Sequence, residues 1–184
     1  MKKKFVLAIA ILSLGACSQP TEKTPADLSK TELTTMVEAL HDSLVNPTSL
    51  ELSAKHAEQL MTYCLTYAEK FPEDTISAEM LYKASRSARG MQQFDQSVAI
   101  YDKIITNYPN YSKLPECYFF KAFVFDNDIK DKPKAEVAYK EVIAKFPEHR
   151  FAADAKLLIE HLYLSDEELI KLFEEKNKTS DKPA

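Results

Sequence analysis

The sequence predicts an all-α protein, an α-solenoid built from antiparallel helix pairs. A short phrase recurs in it: YDKIITNYP ends at Pro109, YKEVIAKFP ends at Pro147, and a weaker copy, CLTYAEKFP, ends at Pro72. The three prolines are 37 and 38 residues apart, and self-similarity at a period of about 20–50 residues is typical of stacked helical units. No segment alternates convincingly with the period of a strand, and the 2 glycines among 184 residues argue against a turn-rich β fold.

The first residues have the composition of a secretory signal. Residues 1–17 read MKKKFVLAIAILSLGAC, in which three lysines precede a stretch from Phe5 to Leu14 that is apolar except for Ser13. This stretch is too short to remain in a bilayer as a spanning helix, which needs about 20 residues. A charged start followed by a short apolar stretch is the pattern of a signal that is removed.

The signal ends in Leu14-Gly15-Ala16-Cys17, which resembles the lipobox of bacterial lipoproteins. The resemblance implies a signal peptide at residues 1–16, a covalent lipid on Cys17 as membrane anchor, and no other cofactor. Because Ser18 rather than an aspartate follows the cysteine, it also implies the bacterial outer membrane, with the protein facing the periplasm. Residues 17–28 would then be the acylated cysteine and a flexible tether. The alternative is an ordinary signal peptide in which the cysteine is accidental.

The composition argues against several classes of function. The full chain has a net charge of −4, and loss of residues 1–16 with their three lysines makes it −7. An acidic chain without a basic stripe argues against nucleic acid binding. Gly90 is the one glycine after the signal, which excludes a glycine-rich phosphate loop. The four histidines are scattered, so no metal site is predicted.

Two cysteines remain after the signal, Cys64 and Cys117. We interpret them as small apolar helix residues, and a disulfide between them in an oxidising envelope is the alternative. A thiol-dependent enzyme is the rival hypothesis from a different class, but neither cysteine lies in a C-x-x-C motif. No serine lies in a nucleophile elbow either, so we expect a protein without catalytic residues.

The predicted helical domain spans residues 29–176. Its first helix begins with a capping box formed by Ser29 and Glu32 and ends near Pro47. Apolar residues at helical spacing predict the other helices at residues 48 or 50 to 70, 77–88, 94–107, 115–125, 134–145, 150–162 and 166–176. Gly90 is expected to take left-handed geometry in the turn after residues 77–88. Residues 177–184 are polar and predicted to be a disordered tail.

The repeated unit resembles the tetratricopeptide repeat, in which helices A and B cross at small residues and a proline follows helix B. The resemblance rests on Leu81, Ala84, Ser85, Ser97, Tyr101, Ile104 and Pro109 in one unit, and on Ala122, Ala135, Tyr139, Val142 and Pro147 in the next. Ala88 departs from the pattern, which has an aromatic residue at that place. The family implies a right-handed α-solenoid with repeats at about 33–72, 78–109 and 116–147 and a C-terminal cap at 150–176.

The stretches between the repeats point to a subset of this family. They read YPNYSKLPECYF and FPEHRFAADAKLL and are longer than a repeat of about 34 residues needs. They are similar to linkers of bacterial envelope repeat proteins, such as the lipoprotein of the outer-membrane β-barrel assembly machine and the coordinator of the Tol-Pal system. Together with the lipobox, they indicate an outer-membrane tetratricopeptide repeat lipoprotein.

In this family helix A lines the concave surface, which implies where a partner would bind. The positions that face this surface are Glu79, Tyr82, Lys83, Arg86 and Arg89 in the central repeat and Phe120, Lys121 and Val124 in the next, or Phe119 and Phe123 if the alignment shifts by one residue. A basic, aromatic groove suits an extended peptide with acidic groups or a free carboxylate. The alternative is a solvated helix face with incidental charges.

The function that follows is a lipid-anchored scaffold that recruits envelope proteins or peptides through its helical-repeat groove. A close alternative is a structural subunit of a larger envelope complex, of the β-barrel assembly or Tol-Pal type. Such a subunit would use its convex face and the aromatic cluster between Tyr118 and Phe125. A cluster of this kind exceeds what one helix face can bury, so one or two of its rings are expected at the surface.

Overall fold

The computed structural model of the chain describes residues 23–45, 50–165, 167–172 and 174. The predicted signal peptide, the lipidation site Cys17, the first half of the tether at residues 17–22 and the tail at residues 177–184 lie outside the described residues. The helix predicted at residues 166–176 is described in part, and its backbone is helical at residues 167–172.

The described part of the chain is all-helical and has no strands, which confirms the all-α prediction and is consistent with a helical solenoid. The helices are α1 (Lys30–Val45), α2 (Leu50–Lys70), α3 (Ser77–Gly90), α4 (Phe94–Asn107), α5 (Leu114–Phe123), α6 (Lys132–Lys145) and α7 (Arg150–His161). A 3-10 turn at Pro25–Asp27 precedes α1, and a π-helix at Val124–Ile129 continues α5. Each α-helix packs mainly on its neighbours in the chain, as expected for a solenoid of helix pairs.

The core is formed at the helix crossings that the sequence predicts. Ser85 on α3 and Ser97 on α4 are fully buried, and the Ser97 hydroxyl donates a hydrogen bond to the Ser85 carbonyl at 2.9 Å. The largest completely buried side chains are those of Tyr67, Tyr101 and Tyr139, one in each of α2, α4 and α6. Small residues thus let the paired helices approach, and the buried rings of Tyr101 and Tyr139 pack against the partner helix of the same pair, on Tyr82 and Phe119 respectively.

The predicted capping box at the start of α1 is confirmed, and a second one is present at Ser165. The Ser29 amide donates to Glu32 at 2.8 Å and the Glu32 amide donates to the Ser29 hydroxyl at 3.3 Å. The same reciprocal pair joins Ser165 and Glu168, at 2.8 and 3.2 Å. Each box satisfies two amides that a helix start leaves without partners.

The prediction that Gly90 takes left-handed geometry is wrong. Helix α3 continues through Gly90, and the left-handed residue is Gln92, with φ 61°. The Gln92 amide donates to the Arg89 carbonyl and the Gln93 amide to the Ala88 carbonyl, both at 2.9 Å. These two bonds form a Schellman motif, which fixes the left-handed position two residues beyond the glycine.

The charged stretch after Phe125, predicted as a long turn, is mostly the π-helix. It ends at Lys130, which has φ 63°. Its acidic side chains have specific partners: the Tyr139 hydroxyl donates to Asp126 at 3.3 Å, and Asp128 accepts from Arg89. Next along the chain, Asp131 accepts from the Lys134 amide at 3.1 Å and caps α6. These contacts explain how a charged, polar segment is held in helical form.

Candidate functional site

One broad groove runs between α3 and the first two helices, and we call it the α3 groove. Its volume is about 1120 Å³, and α1 and α2 contribute His41, Lys55 and Glu58 to its walls. The Ser87 hydroxyl donates to the Ala57 carbonyl at 2.7 Å, and this bond holds α3 against α2 along the groove. Sequence reasoning missed these residues of α1 and α2, because the first repeat is degenerate.

Helix α3 supplies the opposite wall of the groove. Glu79, Tyr82, Lys83, Arg86 and Gly90 follow one another at spacings of one to four residues and all line the groove, because residues three and four apart share a helix face. The buried residues of α3 include a stripe of small and apolar side chains, Ala78, Leu81, Ala84, Ser85 and Ala88. The small and apolar stripe predicted for packing therefore determines which charged side chains face the groove.

Two of the predicted cationic side chains, Lys83 and Arg86, are available to bind a partner protein. Arg86 is exposed, Lys83 is partly exposed, and neither makes an ion pair with any other described residue. Both project into the α3 groove. Because the whole chain carries a net charge of −4, a groove wall with two unpaired cations is locally opposite in sign to the protein.

The carboxylate of the same wall is neutralised within the protein. Glu79 accepts from the Lys113 ammonium at 2.8 and 3.0 Å and from the Tyr111 hydroxyl at 2.5 Å. Burial raises the pKa of Glu79, but these bonds outweigh burial and hold the pKa below its usual value. Lys113 and Tyr111 come from the linker between α4 and α5, so this contact also fixes the linker against α3. Sequence reasoning missed it, because it depends on residues more than 30 positions apart.

Tyr82 forms the floor of the groove rather than an exposed wall. It is 8% exposed, and its ring packs against those of Tyr101 and Tyr111 with centroids 6.4 Å apart in both cases. The Lys113 ammonium lies 5.1 Å from the Tyr82 ring centroid. The predicted aromatic component of the groove is therefore present, but it is largely covered by its own neighbours.

Arg89 is a packing residue rather than a free cation. Its Nε atom lies 2.5 Å from Asp128 Oδ2 and its Nη2 atom 3.3 Å from Asp128 Oδ1. Its guanidinium carbon also lies 4.8 Å from the ring centroid of Phe123. Arg89 therefore joins α3 to the π-helix of the next repeat, and its charge is not available in the α3 groove.

The predicted positions on α5 need correction. Val124 is fully buried, because it shares a stripe of the helix with the buried Cys117. Lys121 turns to the other side of the helix, where its ammonium pairs with Asp102 of α4 at 2.7 Å. Phe120 does face α3, and it lines a smaller cavity together with Arg86 and Arg89. Phe120 thus lies where the first alignment places it, whereas the contact between Arg89 and Phe123 fits the alternative alignment, shifted by one residue.

The aromatic cluster of α5 is mostly core. Phe119 stacks on Phe151 with centroids 4.3 Å apart, and Tyr118 packs edge-on to Phe146 at 5.3 Å. Tyr118 and Phe119 are 8% and 7% exposed. The rings proposed as a contact surface for a larger complex are therefore engaged within the protein, and Phe119 is unavailable as the alternative groove residue.

The two thiols are buried and unpaired. Cys64 and Cys117 are both fully buried and both free, so the disulfide alternative does not describe this structure. Burial raises the pKa of each thiol to about 12, which disfavours the reactive thiolate. The Cys64 sulfur lies 4.0 Å from that of Met80, in apolar surroundings.

Neither a cluster of metal ligands nor a membrane-spanning helix is present among the described residues. They contain no group of three or more histidine, cysteine or acidic side chains placed to hold a metal ion. None of the helices in this part of the chain is both long and apolar enough to cross a bilayer.

Comparison with known proteins identifies the repeat that forms the groove wall. Residues 79–111 match the family model for the tetratricopeptide repeat. This match covers most of α3, all of α4 and the start of the linker that carries Tyr111. Repeats of this family are typically non-catalytic modules that bind other proteins. No curated protein and no solved structure matches the chain.

Proposed function

We propose that this protein is a lipid-anchored scaffold at the bacterial outer membrane that binds an envelope protein or peptide in the α3 groove. One observation carries the binding role: the groove wall within the tetratricopeptide repeat presents two unpaired cations, Lys83 and Arg86, on an acidic protein. The partner contributes an extended segment with acidic groups. Its carboxylates meet these cations and lie over the aromatic floor at Tyr82.

The membrane anchor is supported by the sequence of the first residues. Three lysines, the short apolar stretch and Leu14-Gly15-Ala16-Cys17 stand in the order of a lipoprotein signal. Two or more acyl chains on Cys17 make attachment effectively stable, since each buried CH₂ contributes about 0.8 kcal/mol. The anchor confines the groove to the membrane surface, where it raises the local concentration of envelope partners.

Crosslinking in intact cells, with mass spectrometry of the captured proteins, tests the binding role. The test variant is Lys83→Glu with Arg86→Glu. The control is Lys103→Glu with Lys156→Glu, which makes the same change in net charge at two exposed lysines outside the groove. We expect a partner that the unaltered protein and the control capture and that the groove variant loses. Equal capture by both folded variants would contradict the proposal.

The identity of the captured proteins separates the two forms of the proposal. Loss of a single partner in the groove variant supports recruitment. Capture of β-barrel assembly or Tol-Pal components by every variant would instead support a structural subunit that binds through another face.

The anchor is tested separately by Cys17→Ser. We expect this variant to move from the membrane fraction to the soluble fraction and to lose labelling by a clickable palmitate analogue. Unchanged fractionation and labelling would refute the lipidation site and leave the groove untouched.

A further inference from the structure

A second cavity opens beside the α3 groove, and we call it the side pocket. Its volume is about 520 Å³, and Phe94, Tyr101 and Phe120 form its aromatic walls. Tyr82, Arg86 and Gly90 line both the side pocket and the α3 groove. The two cavities are therefore adjacent, with Arg86 and Gly90 at their shared rim.

The side pocket is built by a departure from the regular repeat. The π-helix at Val124–Ile129 extends α5 and carries Asp128, which lines the pocket and binds Arg89. Without this extension the pocket would lack that wall. Single π-helical turns are rare and occur frequently at functional sites.

One strained residue lines the side pocket, and a second follows the π-helix that carries Asp128. Gln92 lines the side pocket and Lys130 ends the π-helix, and they are the described non-glycine residues with positive φ, 61° and 63°. Left-handed geometry costs a non-glycine residue about 1–2 kcal/mol. Such strain persists where the surrounding structure enforces it, and it concentrates at binding sites.

The charges of the side pocket are asymmetric. Arg89 is neutralised by the carboxylate of Asp128, whereas Arg86 makes no ion pair with any described residue. The cavity therefore offers aromatic walls to an apolar group and one unpaired guanidinium to an anion at its rim. A peptide segment that joins a large apolar side chain to a carboxylate would satisfy both features.

We propose that the side pocket binds one large apolar side chain of a protein partner and that Arg86 binds an acidic residue within two positions of it. The flanking residues of the partner lie in the α3 groove. This inference rests on the proposed function and adds the sequence pattern by which the partner is recognised.

Gly90 offers a direct steric test. It is exposed, its φ is negative, and a Cβ atom placed on it would meet no atom within 4 Å. A side chain can therefore be added without backbone strain, and it would enter the space between the α3 groove and the side pocket. Gly90→Leu is the blocking variant, and Gly90→Ala is the matched control that fills little of that space.

The probe is a random heptapeptide library displayed on phage and selected on the purified full chain. We expect enrichment of Phe, Tyr, Trp, Leu or Met within two positions of Asp or Glu. The affinity of the consensus peptide is then measured by fluorescence anisotropy. Gly90→Leu and Arg86→Glu should each weaken binding at least tenfold, as expected for loss of a buried anchor, while Gly90→Ala should stay within twofold of the unaltered protein.

Three results would overturn the inference: no enrichment, a consensus without the apolar–acidic pair, or equal binding to Gly90→Leu. Circular dichroism establishes that each variant is folded. If Gly90→Leu does not fold, Gly90→Gln serves as the blocking variant.

The in-cell experiment distinguishes the side-pocket inference from the proposed function. Partner capture that needs Lys83 and Arg86 but tolerates Gly90→Leu would support the groove and refute the side pocket. Capture that depends on none of these residues would refute the proposed function, and the peptide data would still decide the side pocket.

Discussion

The ion pair between Arg89 and Asp128 should couple the second helix pair to the third by a measurable free energy. The guanidinium contacts both carboxylate oxygens, at 2.5 and 3.3 Å, and lies over Phe123. The side chains are 34% and 17% exposed. The perturbation is a double-mutant cycle of Arg89→Ala and Asp128→Ala, which isolates the pairwise contribution from the effects of each truncation.

The partial burial of the pair sets the expected magnitude. Solvent-exposed ion pairs contribute about 0.2–1 kcal/mol to the free energy of unfolding. Breaking a fully buried ion pair lowers that free energy by about 3–5 kcal/mol. Because the Arg89 guanidinium contacts both oxygens of the partly buried Asp128 carboxylate, we expect a coupling energy of about 1.5 kcal/mol between the two side chains. Arg89→Ala also loses its contact with the Phe123 ring, about 0.5–1 kcal/mol, so it should cost about 2 kcal/mol in total. Asp128→Ala should cost about 1.5 kcal/mol, and the double variant about 2 kcal/mol.

The assay is urea unfolding of the purified variants, followed by circular dichroism. The slope of the free energy against urea must stay unchanged for the comparison to be valid. The pair Glu136–Lys140 provides the control, since its lysine is 63% exposed and its contact is an ordinary i,i+4 helix pair. That pair should couple by about 0.3–0.5 kcal/mol. An Arg89–Asp128 coupling no larger than that of the control would refute the reasoning.

Three further predictions concern the turn, the acid response and the thiols. Gln92→Gly should raise the free energy of unfolding by about 1 kcal/mol, because glycine adopts the positive φ of this position without steric cost; an unchanged urea midpoint would contradict this. Hydrogen bonds from the Ile76 amide, Lys30 and Tyr67 lower the pKa of Asp74 from 3.8 to about 2. Ionised Asp74 therefore stabilises the fold fully above about pH 4, and this stabilisation is lost as the pH falls towards 2. Asp74→Asn should flatten the fall of Tm between pH 4 and 2, and a fall as steep as before would count against the linkage. Cys64 and Cys117 should resist iodoacetamide at pH 8 in the folded protein and react in urea, as read by peptide mass spectrometry; alkylation of the folded protein would show that the thiols are accessible.

The sequence predicted the helices well where local signals agree with packing. The predicted bounds of α4 are the observed ones, Phe94–Asn107, because a glutamine-rich turn precedes it and Tyr108-Pro109 follows it. The capping box at Ser29 likewise located the start of α1. The turn after α3 was predicted incorrectly, because the Schellman motif places left-handed geometry on Gln92 although a glycine lies two residues earlier.

The candidate site was predicted only in part. Helical periodicity predicted one side of α3 for Lys83 and Arg86, and both line the α3 groove, opposite the buried small residues. Helical periodicity could not show that Arg89 forms an ion pair, because Asp128 lies 39 residues away along the chain. Asp128 also lies on a π-helix that no local sequence pattern predicts. The same π-helix obscured the alignment of α5, where Lys121 faces α4 and Val124 enters the core.

The irregular features of this chain are not scattered but meet at one end of α3. Elsewhere the local features agree with the fold, with capping boxes at Ser29 and Ser165, small residues at the helix crossings and fully buried tyrosines in α2, α4 and α6. At the rim of the side pocket, by contrast, Gln92 takes a strained conformation, Arg86 has no counter-ion among the described residues, and a π-helix replaces a turn. In proteins whose local sequence preferences otherwise agree with the fold, residues that violate these preferences are concentrated at functional sites. Each irregularity alone would lower the stability of the fold locally. Because they occur together at one cavity, a binding site explains them better than an imperfect repeat does.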